Sequence, residues 1–193
     1  ILVQDGALLF VGWCRIHLGW AAVFEGRFTE ALALVEPLMD GRDARHAKAL
    51  VAMALSGLGR IDEADRVSRD AIHGVEHELI TPWVVTVLRA VRAEALLALQ
   101  RAGEALACAE LPASPAARVL SPFLLLLTAR MRAARDAKEV AVAKEVAREV
   151  TTFLDQQALS LEGERRALFL PAPNCVRALA IAQSILEEES APA

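Results

Sequence analysis

Two segments of this chain, residues 18–31 (LGWAAVFEGRFTEA) and residues 51–64 (VAMALSGLGRIDEA), share a pattern of small, apolar and turn-forming residues. A third segment, residues 93–105 (AEALLALQRAGEA), carries a more divergent copy of the same pattern. The alanine that ends each copy recurs after 33 residues and then after 41 residues. A recurrence of this length indicates one supersecondary unit per copy, each burying its apolar face against its neighbours.

The shared positions make physical sense if each copy is a pair of antiparallel helices. Gly26 and Gly59 then stand where the first helix ends, in a turn that needs a positive φ or an otherwise tight backbone. A small residue midway along the first helix allows close approach of the second helix, and an alanine near the start of the second helix packs back against the first. These positions are Gly19, Ala52 and Ala93 for the first helix, and Ala31, Ala64 and Ala105 for the second.

The three copies resemble the tetratricopeptide repeat over roughly residues 10–111. The sequence departs from that family by placing Ala22, Leu55 and Leu96 where the usual Tyr stands, and by lacking a Pro at the end of each repeat. The resemblance implies an α-solenoid, a right-handed superhelix of antiparallel helix pairs with a concave groove.

Composition independently predicts an all-α fold. The hydrophobic fraction is 55%, there is no Tyr, and Ala and Leu supply most of the apolar atoms. Both are strong helix formers. A membrane-spanning helix needs roughly 20 apolar residues. Clean apolar stretches such as Phe123 to Leu127 are much shorter than this, and the segment 10–24 is interrupted by Arg15 and His17, so we expect no membrane span.

The expected domain organisation is a single helical-repeat domain over residues 1–188, followed by an acidic tail at 189–193. Its helix pairs are expected at about 8–39, 45–73, 82–110 and 116–158, with a terminal helix at about 174–188. We expect a loop at 74–81 that ends at Pro82, and a kink at Pro122.

Charge, cysteines and the first residue suggest the context of the chain. A net charge of −4 disfavours nucleic-acid binding, which needs a basic footprint. Cys14, Cys108 and Cys175 are odd in number and lie in apolar helical patterns, which indicates buried free thiols in the cytoplasm. Because the chain begins at Ile1 without a leader signature, we expect a piece of a longer polypeptide.

A second resemblance concerns residues 164–174 (ERRALFLPAPN). This stretch is similar to an Arg…Phe-Leu…Pro…Asn stretch that ends the repeat region of many bacterial multidomain regulators. The resemblance implies that the domain is the sensor or scaffold part of such a regulator.

The register of the repeat predicts which side chains face the groove, and the aromatic ones come from the first copy. Trp13 and Trp20 are seven residues apart and share a helical face with His17 at its edge. They fit either a core position or a binding wall; we expect Trp13 in the core and Trp20 in the groove. The predicted groove residues are Trp13, Ile16, Trp20, Val23 and Phe24 from the first copy, His46, Ala49, Met53, Ser56 and Gly57 from the second, and Val87, Ala90, Glu94, Leu97 and Ala98 from the third. Eight of them are singled out as partner- or ligand-binding residues: Trp13, Ile16, Trp20, Val23, Phe24, His46, Met53 and Glu94.

One short motif suggests chemistry. Residues 73–77 (HGVEH) match the H-x-x-E-H pattern of inverted zinc peptidases, with His73 and His77 as ligands and Glu76 as base. Gly74 and the expected end of the helix at this point favour a solvated helix end instead. We therefore predict no metal, no cofactor and no catalytic residue.

The sequence thus predicts a non-enzymatic module for protein–protein interaction. Its partner would be a protein or peptide, for example an amphipathic helix, or a neighbouring domain of the same polypeptide, because the predicted groove is small and apolar. The alternative is a sensor of a small apolar ligand with a Trp-lined pocket, and a zinc-dependent hydrolase is a distant third. The oligomeric state stays open.

Overall fold

The described part of the chain is helical throughout. The structure, a computed structural model, describes residues 2–41, 43–73, 82–112 and 120–188. The helices are α1 (Leu2–Phe24), α2 (Phe28–Val35), α3 (Ala44–Gly57), α4 (Ile61–His73), α5 (Pro82–Ala98), α6 (Ala102–Cys108), α7 (Leu120–Asp136), α8 (Val140–Leu159), α9 (Gly163–Phe169) and α10 (Pro173–Glu187), with a single 3-10 turn at Glu36–Leu38 after α2. The all-α prediction is confirmed for these residues.

The first eight helices pack as consecutive pairs. Within a pair, α1 packs on α2, α3 on α4, α5 on α6, and α7 on α8. Between pairs, α2, α4 and α6 each pack on the first helix of the next pair. The first helices also contact one another in the order α1, α3, α5, α7, and α10 packs against α7 and α8. This arrangement aligns one face of the four first helices.

All four pairs turn in the same way. The residue at the turn has a positive φ: Gly26 (75°), Gly59 (75°), Gln100 (60°) and Lys138 (63°). This residue donates its N–H to the carbonyl three residues earlier, and the next residue donates to the carbonyl five residues earlier, at 2.7–3.1 Å. These are the two hydrogen bonds of a Schellman motif. The glycine turns predicted at 26 and 59 are confirmed, and the fourth pair, expected at about 116–158, turns at Lys138 with the same geometry.

Small residues lie where the helices of a pair touch. Ala31, Ala64 and Ala105 are fully buried, as predicted, and Ala143 holds the same place after the fourth turn. A Cβ added at Gly19 would lie 2.8 Å from Val35 Cγ1, because α1 and α2 approach closely there. The expected role of a small residue midway along the first helix is therefore confirmed at Gly19.

Some predicted boundaries need correction. α1 begins at Leu2 instead of residue 8, and the turn expected between the two helices of the fourth pair lies at 137–139. Pro122 does not kink a helix, because it lies in the first turn of α7, where a missing N–H leaves no intrahelical bond unmade. The segment before Pro171 contains the helix α9, whose helical state was not predicted. The expected loop at 74–81 and the tail at 189–193 lie outside the described residues.

No single helix among those described is both long enough and apolar enough to cross a bilayer. One pair of helices, α9 and α10, meets the requirement jointly by length and composition only, with a bend of 51° between them.

Candidate functional site

The aligned face of α1, α3, α5 and α7 carries two adjoining cavities, which share Phe24. The first, of about 320 Å³, is called the aromatic cavity here, and the second, of about 300 Å³, the mixed cavity. The aromatic cavity is lined by Trp13, Ile16, His17, Trp20, Phe24, Asp43, His46, Trp83, Ser121 and Pro122. The mixed cavity is lined by Val23, Phe24, Phe28, Met53, Ser56, Gly57, Ala90, Val91, Glu94, Leu125, Asn174 and Arg177.

Each of the eight residues that we singled out from the register as binding residues lines one of these cavities. Trp13, Ile16, Trp20 and His46 line the aromatic cavity, whereas Val23, Met53 and Glu94 line the mixed cavity, and Phe24 lines both. The wider register was less accurate. Ala49, Val87 and Leu97 are buried in the core between neighbouring helices and do not face the groove.

Aromatic rings form the walls of the first cavity. The centroids of Trp20 and Trp83 are 5.7 Å apart with their planes at 55°, and His46 meets Trp83 edge-on at 5.4 Å. Phe24 stacks on Trp20 at 5.8 Å, and Trp13 lies 5.2 Å from His17 on the outer side. Centroid separations in this range are those of favourable aromatic contacts, so the rings hold one another in place.

The two tryptophans of α1 differ in exposure, and the expectation for one of them was wrong. Trp13 is 56% exposed, so it lines the open cavity instead of packing in the core as we expected. Trp13 shares this cavity with residues from the start of α3, from α5 and from α7, and its ring contacts the ring of His17. Trp20 is half-buried: it lines the cavity and also packs against the buried clusters of α1–α3 and α3–α5.

The polar groups of the aromatic cavity are few. Burial lowers the pKa of His46; this is the largest effect, Asp43 opposes it and His17 adds to it. The imidazole of His46 is therefore neutral at neutral pH. Asp43 is the N-cap residue of α3, but its side chain makes no capping hydrogen bond.

The mixed cavity is more polar than the sequence suggested. Glu94 forms an ion pair with Arg132 of α7, so its carboxylate is already engaged within the protein. Asn174 and Arg177 of α10 also line this cavity. The predicted small, apolar groove therefore describes the aromatic cavity better than the mixed cavity, which contains Glu94 and Arg177.

Sequence reasoning missed Trp83, Ser121 and Pro122 as cavity residues. Trp83 lies four residues before the first register position of the third copy and seven residues, about two helical turns, before Ala90, which lines the mixed cavity. Extending the register by four residues would have found it. Ser121 and Pro122 belong to the fourth unit, for which no register had been recognised.

The two other features singled out in the sequence are the zinc motif at 73–77 and the three cysteines. His73 is an exposed residue at the end of α4, while Glu76 and His77 of the zinc motif lie outside the described residues. No group of three His, Cys, Asp or Glu suited to a metal occurs within the described ranges. The cysteines are free, but Cys14 and Cys108 are only half-buried, contrary to expectation. Burial raises the pKa of the Cys108 and Cys175 thiols, which disfavours a reactive thiolate.

Comparison with protein-family models, with curated proteins and with solved structures finds no match to this chain. Function is therefore inferred from the residues of the two cavities and from the face on which they lie.

Proposed function

We propose that this domain is a non-catalytic docking module, in which the groove over α1, α3, α5 and α7 binds an apolar segment of a protein partner. The observation that carries the proposal is that two adjoining cavities on one face contain exposed aromatic side chains. Trp13 is 56% exposed and Phe24 is 54% exposed. Large apolar side chains are usually withdrawn from water, and when exposed beside a cavity they are typical of interaction sites.

The scaffold for this role is a right-handed superhelix of tetratricopeptide-like pairs. Four pairs with the same turn hydrogen bonds and the same buried alanine support it. Stacked pairs of this kind bury a continuous core and leave one concave surface for a partner.

The best fit is the apolar face of an amphipathic helix, from a separate protein or from a neighbouring domain of a larger bacterial regulator in the cytoplasm. Such a helix presents apolar anchors at i, i+3, i+4 and i+7. The aromatic cavity suits the first anchors and the mixed cavity the later ones, because the two cavities meet at Phe24. Arg177 lines the mixed cavity and favours an acidic or polar group on the part of the partner helix that lies there.

A second candidate is a small-molecule sensor. The aromatic cavity, at about 320 Å³, lies at the lower end of the size range for ligand pockets and is walled mainly by aromatic rings. A ligand there would contact helices of all four pairs, since Ser121 belongs to α7 and Trp83 to α5. Binding could therefore stiffen the whole domain.

The docking proposal is tested by selecting helical peptides from a displayed library on the purified domain and measuring their affinities. We expect amphipathic sequences, and we expect Trp13→Ala to lower the affinity at least tenfold without changing the melting temperature. Trp13 is suited to this test because it makes few buried contacts. Trp20→Ala would lower both affinity and stability, since that ring also packs in the core.

Phe10→Ala is the matched control. Phe10 is also an aromatic residue of α1 and is 72% exposed, but it lines neither cavity. Its truncation should leave the peptide affinity unchanged. Equal losses in Trp13→Ala and Phe10→Ala would place binding elsewhere on α1 and would contradict docking in the groove.

A further inference from the structure

We infer that the aromatic cavity is selective for a small organic ammonium ion, held over the faces of Trp20 and Trp83 beside the carboxylate of Asp43. This inference rests on the second candidate function, a small ligand in this cavity, and adds the chemical class of that ligand. Three features support it: the aromatic walls, the charge of the lining, and the position of Asp43.

The walls provide several aromatic faces in one small space. All three tryptophans of the chain line this cavity. The Trp20 and Trp83 planes are tilted by 55°, so these two rings are not parallel. Phe24 stacks on Trp20, and His46 meets Trp83 edge-on. The face of an aromatic ring carries negative electrostatic potential, and Trp attracts a cation most strongly. Quaternary and other alkylated ammonium groups are recognised by cages of this kind.

The charge of the lining also favours a cation. Asp43 is the acidic residue of the cavity, and no Lys or Arg is present among the described residues that line it. The two other titratable groups facing the space are His17 and His46. Because burial lowers the pKa of His46, its ring adds no positive charge at neutral pH. The cavity therefore combines an apolar surface with a carboxylate.

Asp43 is placed to act on a ligand. Its Oδ2 atom lies 3.0 Å from where a Cβ would stand on Gly12, so the carboxylate rests against α1 at a point that only glycine leaves open. It makes no capping bond to α3, although it holds the N-cap position. Within the described ranges the carboxylate has neither a hydrogen bond nor an ion pair, in contrast to Glu94, which is paired with Arg132.

The test compares choline with its uncharged isostere 3,3-dimethyl-1-butanol, in which carbon replaces the ammonium nitrogen. Both are titrated at pH 8 and constant ionic strength, with intrinsic tryptophan fluorescence as the readout, because every tryptophan of the chain lies in the cavity wall. We expect choline to bind at least tenfold more tightly than the alcohol. Asp43→Asn should weaken choline binding at least fivefold and leave binding of the alcohol unchanged.

Asp136→Asn is the control variant, since Asp136 is an exposed carboxylate at the end of α7 and is paired with Arg135. It should bind choline like the wild type. A Trp83→Leu variant, checked for helicity and melting temperature, should bind choline at least tenfold more weakly than the wild type, which tests the role of the wall independently of Asp43.

The outcomes separate this inference from the function on which it rests. If choline and the alcohol bind equally, the cavity is a site for apolar ligands, the ammonium inference is overturned and the sensor function survives. If neither choline nor the alcohol binds, the ammonium inference is overturned. The docking proposal is then tested only by the selection of helical peptides described above. An Asp43→Asn variant that binds choline as tightly as the wild type also overturns the inference as stated.

Discussion

The turns inside the four helix pairs and the groove across them use sequence in opposite ways. The turns keep the same hydrogen bonds with different residues, since Gly26, Gly59, Gln100 and Lys138 all adopt a positive φ. The groove keeps the same backbone positions but changes the side chains. Trp20, Met53 and Glu94 each lie six residues before the turn residue of their pair. Trp20 lines the aromatic cavity, whereas Met53 and Glu94 line the mixed cavity, where Glu94 is paired with Arg132.

This difference separates the features of the sequence that determine the fold from those that determine the lining of the two cavities. The scaffold depends on backbone geometry and on alanines that permit close packing, so many sequences can satisfy it. The groove depends on single large side chains, so a change of one residue alters what can bind. The predictions that follow test this division, beginning with the scaffold.

The largest effect is expected at the buried alanine after the second turn. Ala64→Glu would place a carboxylate at a fully buried position that also lacks the volume for it. We expect a loss of at least about 3 kcal/mol in the free energy of unfolding, measured by chemical denaturation. Ala33→Glu, at an exposed position of α2, should change it by less than about 0.5 kcal/mol. Similar effects at the two sites would show that the alanines do not define the pairs.

A smaller loss is expected where the scaffold meets the groove. A Cβ at Gly57 would lie 2.4–2.5 Å from ring atoms of Phe28, whereas a Cβ at Gly103 would meet nothing within 4 Å. Gly57→Ala should therefore destabilise by about 1–3 kcal/mol through overpacking. Gly103→Ala should stabilise by up to about 1 kcal/mol, because alanine is the better helix former.

Phe28→Ala provides the check on the Gly57 prediction. If the clash with the ring causes the loss, then Gly57→Ala should cost much less in a Phe28→Ala background. Additive losses in the double variant would assign the effect to the backbone of Gly57 instead.

Substitutions at two turn residues should change the free energy of unfolding in opposite directions, each by a smaller amount than Ala64→Glu. Gly59→Ala should destabilise by about 1 kcal/mol, because an L residue is strained at a φ of 75°. Lys138→Gly should stabilise by a similar amount or less, since it relieves the same strain at a φ of 63° but adds freedom to the unfolded chain. The melting temperatures of the two variants, each compared with the wild type, measure these effects. Two shifts of the same sign would mean that the turns are not equivalent.

The sequence predicted most of the scaffold and part of the site, for reasons that can be traced to single residues. Gly26 and Gly59 indicated two turns in the sequence because glycine is favoured at a positive φ. Gln100 and Lys138 adopt a positive φ as well, but neither residue type indicates a turn in the sequence. The groove register was therefore not extended to the fourth pair, and Ser121 and Pro122 were missed as cavity residues. The exposure of Trp13 depends on how closely the other helices approach that face of α1, which periodicity along α1 cannot reveal.

His46 should give the smallest effect, one that depends on pH. Burial in the cavity wall is the main cause of its lowered pKa, Asp43 acts in the opposite direction, and His17 acts in the same direction as burial. In the unfolded chain, where that burial is absent, His46 takes up a proton at about pH 6.5, the ordinary pKa of His. The folded chain takes it up only at lower pH. Consequently stability should be unaffected above about pH 6.5 and should fall as the pH drops from there toward the folded-state value.

Denaturation at pH 7.5 and pH 5.5 measures this loss, and comparison with His46→Gln isolates it. One pKa unit corresponds to about 1.4 kcal/mol, and because the ring is half-exposed to screening water we expect the difference to stay below about 1 kcal/mol. His46→Gln should lose less stability than the wild type over this interval, since its amide does not titrate. His73→Gln, at the exposed end of α4, should behave as the wild type. If His46→Gln shows the full wild-type loss, the proton is taken up elsewhere and the neutral ring assigned to the aromatic cavity is wrong.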